Sequence, residues 1–162
     1  GLICGCTTLS RGALRRSAAV YEHGKLLGIS DMNYVLDGEE YKSGGSVGFY
    51  KVNGCKIGIC LENDLLFPDV IKSLATCGCS AVVALMEQLK DTVPTLLIRS
   101  YAYLYGIPII MCAGKSAFYA DSSGEIASSR QKTALFEIAP QNNYRLVTTR
   151  LKGITSDDRC DY

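Results

Sequence analysis

The sequence lacks the features by which membrane-spanning and nucleic-acid-binding proteins are usually recognised. None of its apolar runs approaches the roughly 20 residues needed to cross a bilayer, and no signal peptide is visible. Its 17 basic and 16 acidic residues are interleaved and form no basic stripe. The densest basic cluster, Arg11, Arg15 and Arg16, is interpreted as a solvated loop. We therefore expect neither a membrane nor a nucleic-acid partner.

The sequence contains a single histidine, His23. Its position in a predicted hairpin turn argues against a Cys–His dyad. Most of the eight cysteines lie in apolar runs, where free cysteine packs as a small hydrophobe. This placement favours free thiols in a reducing, cytoplasmic setting. Two C-x-C pairs, Cys4/Cys6 and Cys77/Cys79, lack the spacing of structural zinc sites. We expect no metal and no cofactor, with a redox or metal role for these pairs as a remaining alternative.

The order of elements predicts one mixed α/β domain over residues 1–152, followed by a polar tail over 153–162. Two hairpins come first, turning at His23-Gly24 and at Asn53-Gly54. A strand–helix–strand–helix–strand segment follows, in which proline opens each helix and glycine ends it. A hairpin near Ser123-Gly124 comes next, and "TALFEIA" and "YRLVTTRLKG" are predicted as the last two strands.

Several motifs, in this order and spacing, resemble those of the nitrilase or carbon–nitrogen hydrolase superfamily. "GKLLGIS" resembles the strand before the family's catalytic lysine, and "GEEYKSG" resembles its glutamate followed five residues later by glycine. "GICLENDLLFPD" resembles the family's G-x-x-I-C-Y-D-x-x-F-P-E. "IRSYAYLYGIPII" resembles its arginine-led helix and next strand, and "DSSGEI" its late hairpin turn. The resemblance implies an α-β-β-α sandwich, with mixed sheets inside and helices outside, that is usually dimeric.

The resemblance also implies hydrolysis of amides or nitriles by a Glu–Lys–Cys triad, in which the cysteine lies on a strand-to-helix elbow. Aligned without a gap, the nucleophile position holds Glu62, and Cys60 lies two residues upstream. Strand alternation would place residues 60 and 62 on one face, so that both look into one pocket. The family's lysine, counted back from Glu39, falls at Asp31 or Met32. The triad's glutamate comes from a part of the domain that precedes this sequence.

Two functions follow from these positions. The first is a thiol-dependent hydrolase of a small non-peptide amide or nitrile, with Cys60 as nucleophile and Glu39 or Glu62 as the assisting acid. The second is a member of the same fold that has lost the chemistry and binds a small molecule or a partner subunit. Glu62 is either a helix cap or an acid that faces the pocket. The resemblance further implies a homo-oligomer, with the front of the domain missing from this chain.

Overall fold

The computed structural model describes residues 1–130 and 133–138, which form two β-sheets and two α-helices. The first sheet contains the strands β1 (Leu2–Ser10), β2 (Ala13–Glu22) and β3 (Lys25–Asp31). The second contains β4 (Phe49–Val52), β5 (Cys55–Leu61), β6 (Ala81–Met86), β7 (Ile109–Ala113), β8 (Ser116–Ala120) and β9 (Ile126–Ser129). The helices are α1 (Pro68–Thr76) and α2 (Val93–Tyr105). Neither helix is long and apolar enough to cross a membrane.

Three tight turns fold the first five strands into antiparallel pairs. In each turn a two-residue loop places both residues at positive φ, the conformation of hairpins whose twist matches that of the strands. Glycine adopts this conformation at little cost, and it stands second in each turn. The three pairs are Arg11 and Gly12, His23 and Gly24, and Asn53 and Gly54. The turns at His23 and Asn53 were predicted, whereas the turn at Arg11 was not.

The middle of the larger sheet is parallel, because each helix carries the chain back across the sheet. Strands β5, β6 and β7 pair in parallel, with α1 between the first two and α2 between the last two. Pro68 begins α1, and Gly106 ends α2 in a left-handed conformation with φ of 64°. Antiparallel strands complete the sheet on both sides, at β4 and at β8–β9.

Two apolar cores hold three layers together. The larger core lies between the helices and one face of the six-stranded sheet, and includes Ile71, Leu74 and Ile98. The smaller core lies between the two sheets, and includes Val20, Ile59 and Leu61. The predicted arrangement of mixed sheets with helices outside is confirmed for these layers. Within the described residues no helix covers the outer face of the three-stranded sheet, where Leu27 and Ile29 are exposed.

The end of the chain differs in part from the prediction. Residues 133–138, within the predicted strand "TALFEIA", are described and form no strand. Phe136 stacks on Tyr119 with ring centroids 5.8 Å apart, whereas Leu135 is exposed. The predicted strand "YRLVTTRLKG" and the tail at 153–162 lie outside the described residues.

Candidate functional site

The candidate site lies where three parallel strands end side by side. Glu62 follows β5, Glu87 follows β6 and Gly114 follows β7. Ligands of sheets of this kind bind outside the carboxyl ends of the strands, because loops that diverge there leave a crevice. The three-stranded sheet closes this end from the opposite side with residues of β1 and β2. The site is therefore built from both sheets.

Glu62 occupies the sharp turn between β5 and the 3₁₀ helix Glu62–Leu66. Its φ of 45° is a left-handed conformation that side chains other than glycine rarely adopt, and such strain concentrates at functional sites. Its Oε1 accepts a hydrogen bond from the backbone N–H of Glu87 at 2.7 Å. The side chain therefore bonds to the end of β6, which is the pocket orientation rather than the helix cap.

The surroundings of Glu62 make its carboxyl a weaker acid than a carboxyl in water. Burial raises the pKa of the Glu62 carboxyl, and the nearby carboxylates of Glu87 and Glu39 add to that rise. The N–H of Glu87 and the guanidinium of Arg16 oppose it without cancelling it. A carboxyl of this kind holds its proton to a higher pH than one in water.

Arg16 contributes the cation of the site, and its interpretation as part of a solvated loop is wrong. It lies on β2, forms an ion pair with the carboxylate of Glu87, and stacks over the ring of Tyr41 at 5.0 Å from the centroid. Arg15, on the opposite face of the strand, pairs with Asp31 at 3.7 Å. Only Arg11 lies in an exposed turn. Because the segment is polar, sequence analysis did not identify it as the beginning of β2, whose residues Arg16 and Ser17 line the larger cavity.

Two cavities of about 350 and 310 Å³ meet at this cluster. Arg16, Glu62 and Glu87 line both of them. The larger cavity continues between the sheets past Gly5, Cys6, Thr7, Leu61, Leu85 and Cys112. The smaller one opens toward Met32, Glu39, Tyr41, Asn63, Gln88 and Lys90. The site can therefore admit a small polar molecule on either side of Arg16.

Cys60 lies outside this cluster. It is 1% exposed and belongs to the core beneath the helices, and it lines neither cavity. Burial raises the pKa of its thiol well above the usual range, with a smaller contribution from Asp64. The reactive thiolate is therefore disfavoured. Residues 60 and 62 do not share one pocket as alternation predicts, because the positive φ of Glu62 ends the alternation at the turn.

Glu39 does reach the elbow, although it is exposed. Both of its carboxylate oxygens accept from the Nδ2 of Asn63, at 3.1 and 3.2 Å, and Oε2 also accepts from the backbone N–H of Leu36 at 3.2 Å. The structure thus brings two of the three candidate residues, Glu39 and Glu62, to one cavity. Their catalytic roles, like that of Cys60, stay predictions.

Asp64 anchors the loop after β3 to the elbow, a role that sequence analysis did not identify. It is 1% exposed, and its Oδ1 accepts the backbone N–H groups of Asn33 and Tyr34, both at 2.8 Å. Its Oδ2 accepts from the side chain of Asn33 at 3.3 Å. Burial raises the pKa of Asp64, and these N–H groups oppose the rise.

The positions aligned with the family's lysine hold no cation. Asp31 ends β3 and accepts a hydrogen bond from the hydroxyl of Ser17 at 2.6 Å. Met32 is buried at 1% exposed and lines the smaller cavity. Seven cysteines within the described residues are free, and no group of metal-binding side chains is found among those residues. The cation that lines both cavities therefore comes from β2, not from the end of β3.

Replacing Glu62 by glutamine is expected to stabilise the protein at neutral pH. A carboxyl with a raised folded-state pKa contributes stability that is present below its unfolded pKa of about 4.3 and is lost as pH rises through the folded value. Glutamine keeps the acceptor for Glu87 N–H and has no charge to bury. We expect a Tm gain at pH 7 of about 2 °C, reduced by solvent screening, that disappears near pH 4.

Thermal unfolding of wild type and Glu62→Gln from pH 4 to 8 measures this difference. Glu125→Gln, an exposed glutamate in the β8–β9 turn, is the matched control and should show no such pH dependence. A Tm deficit of Glu62→Gln that grows with pH would contradict the prediction, since it would mean that the carboxylate is favoured by folding.

Comparison with known proteins places this geometry in a structural class. No protein-family model matches the sequence, and no curated protein matches it significantly. Saccharomyces cerevisiae Nit3, a member of branch 10 of the nitrilase superfamily, has a similar structure with a TM-score of 0.69 at 18% identity, covering 75% of this chain and 52% of that chain. A carbon–nitrogen hydrolase from Helicobacter pylori G27 gives a TM-score of 0.65 at 19% identity, covering 76% and 55%.

An amidase variant from Nesterenkonia sp. AN1 gives a TM-score of 0.67 at 15% identity, covering 76% of this chain and 54% of that chain. That structure shows covalent addition of the acetamide moiety of fluoroacetamide at the amidase's active-site cysteine. This chain spans about half the length of each of these proteins. At these identities the likeness concerns the fold, and the chain has the fold of the nitrilase, or carbon–nitrogen hydrolase, superfamily that its motifs predicted.

Proposed function

We propose that this chain binds a small amide-bearing molecule at the elbow and does not hydrolyse it through Cys60. The observation that carries the proposal is that Glu62, and not Cys60, occupies the elbow. Glu62 lines both cavities there, whereas Cys60 is packed beneath the helices with a thiol of raised pKa. A covalent mechanism needs a thiolate within reach of the bound carbon, whereas the thiol of Cys60 has a raised pKa and lines neither cavity.

The ligand class rests on two supports. Structural neighbours of the chain include an amidase and a carbon–nitrogen hydrolase, and the smaller cavity, of about 310 Å³, is lined mostly by polar and charged side chains. Positively and negatively charged side chains lie side by side in the lining of the smaller cavity. A small neutral molecule with both hydrogen-bond donors and acceptors therefore suits this cavity better than an apolar molecule. An amide has both kinds of group, whereas a nitrile offers only an acceptor.

The second candidate is thiol-dependent hydrolysis of a small amide or nitrile at Cys60, assisted by Glu39 or Glu62. The active-site cysteine of the neighbouring amidase favours it. In this reading Cys60 would have to leave the core, since burial now keeps its thiol protonated.

Binding and turnover of butyramide separate the two candidates. We expect the purified protein to bind butyramide, detected by ligand-observed NMR, and to release no ammonia from it. Cys60→Ala should leave the Kd unchanged, because the thiol does not contact the cavity. Ammonia release that Cys60→Ala abolishes would establish the hydrolase instead, and absence of any binding would reject the binding proposal.

Two further expectations from the sequence, a homo-oligomeric assembly and a cytoplasmic location, remain proposals beside this one. The exposed apolar residues on the outer face of the three-stranded sheet are compatible with burial in an assembly, since such patches often mark contact surfaces. The mass of the protein in solution measures the first of these proposals.

A further inference from the structure

Arg16 lies at the junction of the two cavities, and a ligand could replace its present partner at a small cost in free energy. Its guanidinium pairs with Glu87, whose side chain is 60% exposed, and the aromatic ring of Tyr41 supports it. Exposed ion pairs contribute little free energy, because water solvates both charges nearly as well. A bound oxygen atom can therefore replace the Glu87 carboxylate, and the planar guanidinium has five N–H donors to offer it.

Glu62 stands beside this donor as an acceptor. One of its oxygens is bonded to the backbone N–H of Glu87, and a carboxylate has lone pairs for further donors. Glu87 links the two residues, since its side chain holds Arg16 and its backbone holds Glu62. The two side chains also interact electrostatically. The pocket thus presents a fixed donor and a fixed acceptor from two different sheets.

We propose that Arg16 and Glu62 form a donor–acceptor pair that selects a primary amide over the isosteric carboxylate, an inference that rests on the proposed function. A primary amide presents its carbonyl oxygen and its N–H side by side, so the oxygen can accept from Arg16 while the N–H donates to Glu62. A carboxylate of the same shape presents two acceptors. Its second oxygen would face Glu62 without a proton between them. Both oxygens would then lose their hydrogen bonds to water and gain none in exchange.

The predicted selectivity is larger than a purely steric pocket could give. Butyramide and butyrate have nearly the same shape, so apolar contacts cannot separate them. An unpaired acceptor against a partly buried carboxylate is expected to weaken butyrate relative to butyramide by at least about 10-fold at pH 7. Selection of this kind belongs to hydrogen-bonding sites, which reject an analogue that leaves their own polar groups unpaired.

The test is the Kd ratio of butyrate to butyramide, measured by NMR titration for the wild type, three variants of the pair and two control variants. Glu62→Gln should bring the ratio toward one, because the glutamine amide can donate to the second oxygen of butyrate. Arg16→Met should weaken both ligands, and Arg16→Lys should restore part of the binding. Glu125→Gln and Arg11→Met, at exposed positions, should keep the wild-type ratio. Thermal unfolding of each variant separates lost selectivity from lost structure.

Each result has one meaning. If butyramide binds and butyrate binds equally well, or if Glu62→Gln leaves the ratio unchanged, the donor–acceptor pair is refuted while binding at the site stands. If neither ligand binds to the wild type, the proposed function itself fails. The pair is established if the ratio changes in Glu62→Gln, and if the affinity falls in Arg16→Met and partly returns in Arg16→Lys without a loss of Tm. A merely structural role of Arg16 would lower the Tm together with the affinity.

Discussion

Replacing Asp64 by alanine is expected to lower the free energy of unfolding by about 3 kcal/mol. The change removes the acceptor of two backbone N–H groups, those of Asn33 and Tyr34, in a place that is 1% exposed. Each buried donor left without a partner costs about 1–3 kcal/mol, and little water can reach these two. Chemical denaturation with urea, followed by circular dichroism, measures the loss.

The same change should also weaken ligand binding, because the loop that Asp64 anchors continues to Glu39 at the cavity. Tyr34 is further held by stacking on Phe67 with centroids 3.7 Å apart, so the loop should loosen and not detach. Asp37→Ala, an exposed acid of the same loop, is the control and should change stability little. Asp64→Asn keeps one acceptor oxygen and should cost less than Asp64→Ala. Equal stability of Asp64→Ala and wild type would show that the anchor is unimportant.

Replacing Glu62 by cysteine is expected to create a thiol that reacts with iodoacetamide at least about 100-fold faster than Cys60 in the same molecule. The side chain at position 62 lines both cavities and lies near the cation Arg16, so its thiol should form the reactive thiolate more readily than the enclosed thiol of Cys60. The thiol of Cys60 has a pKa well above the usual range and is enclosed by the core. Because only the thiolate reacts, the two differences multiply.

Mass spectrometry of peptides from briefly labelled, native protein measures the two rates separately from those of the other cysteines. Glu125→Cys gives the rate of a fully exposed thiol for comparison. Labelling of Cys60 should appear only when the protein is unfolded. Labelling of Cys60 in the native state as fast as that of the introduced thiol would overturn the placement of position 62 at the elbow and revive the thiol-dependent hydrolase.

Local signals predicted the hairpins and helices well. Asn53 with Gly54, the proline that begins α1 and the glycine that ends α2 each impose a backbone conformation on their own neighbours, so no tertiary information is needed. The ungapped alignment also assigned Glu62 to the elbow, because the spacing to the helix-opening proline is short and fixed. These are the parts of the fold where sequence neighbours are also spatial neighbours.

The site itself could be predicted only in part, since its residues meet across long chain separations. Arg16 and Glu87 are 71 residues apart, and nothing within a local window indicates that one pairs with the other. The polar surroundings of Arg16 resembled a loop because a strand that lines a charged pocket lacks the apolar alternation of a half-buried strand. Cys60 and Glu62 were assigned to one pocket because strand alternation was extended one residue too far, into a turn whose φ only the folded protein reveals.

The division of the pocket between two sheets links its occupancy to the integrity of the molecule. Arg16 lies on the three-stranded sheet, whereas Glu62 and Glu87 follow strands of the six-stranded sheet, and the smaller core packs between the two sheets. If the sheets separated, the helix-covered core could persist while the pocket ceased to exist. A ligand that binds only the docked state stabilises that state by mass action. If the proposed function is correct, ligand binding and docking of the two sheets are therefore coupled equilibria.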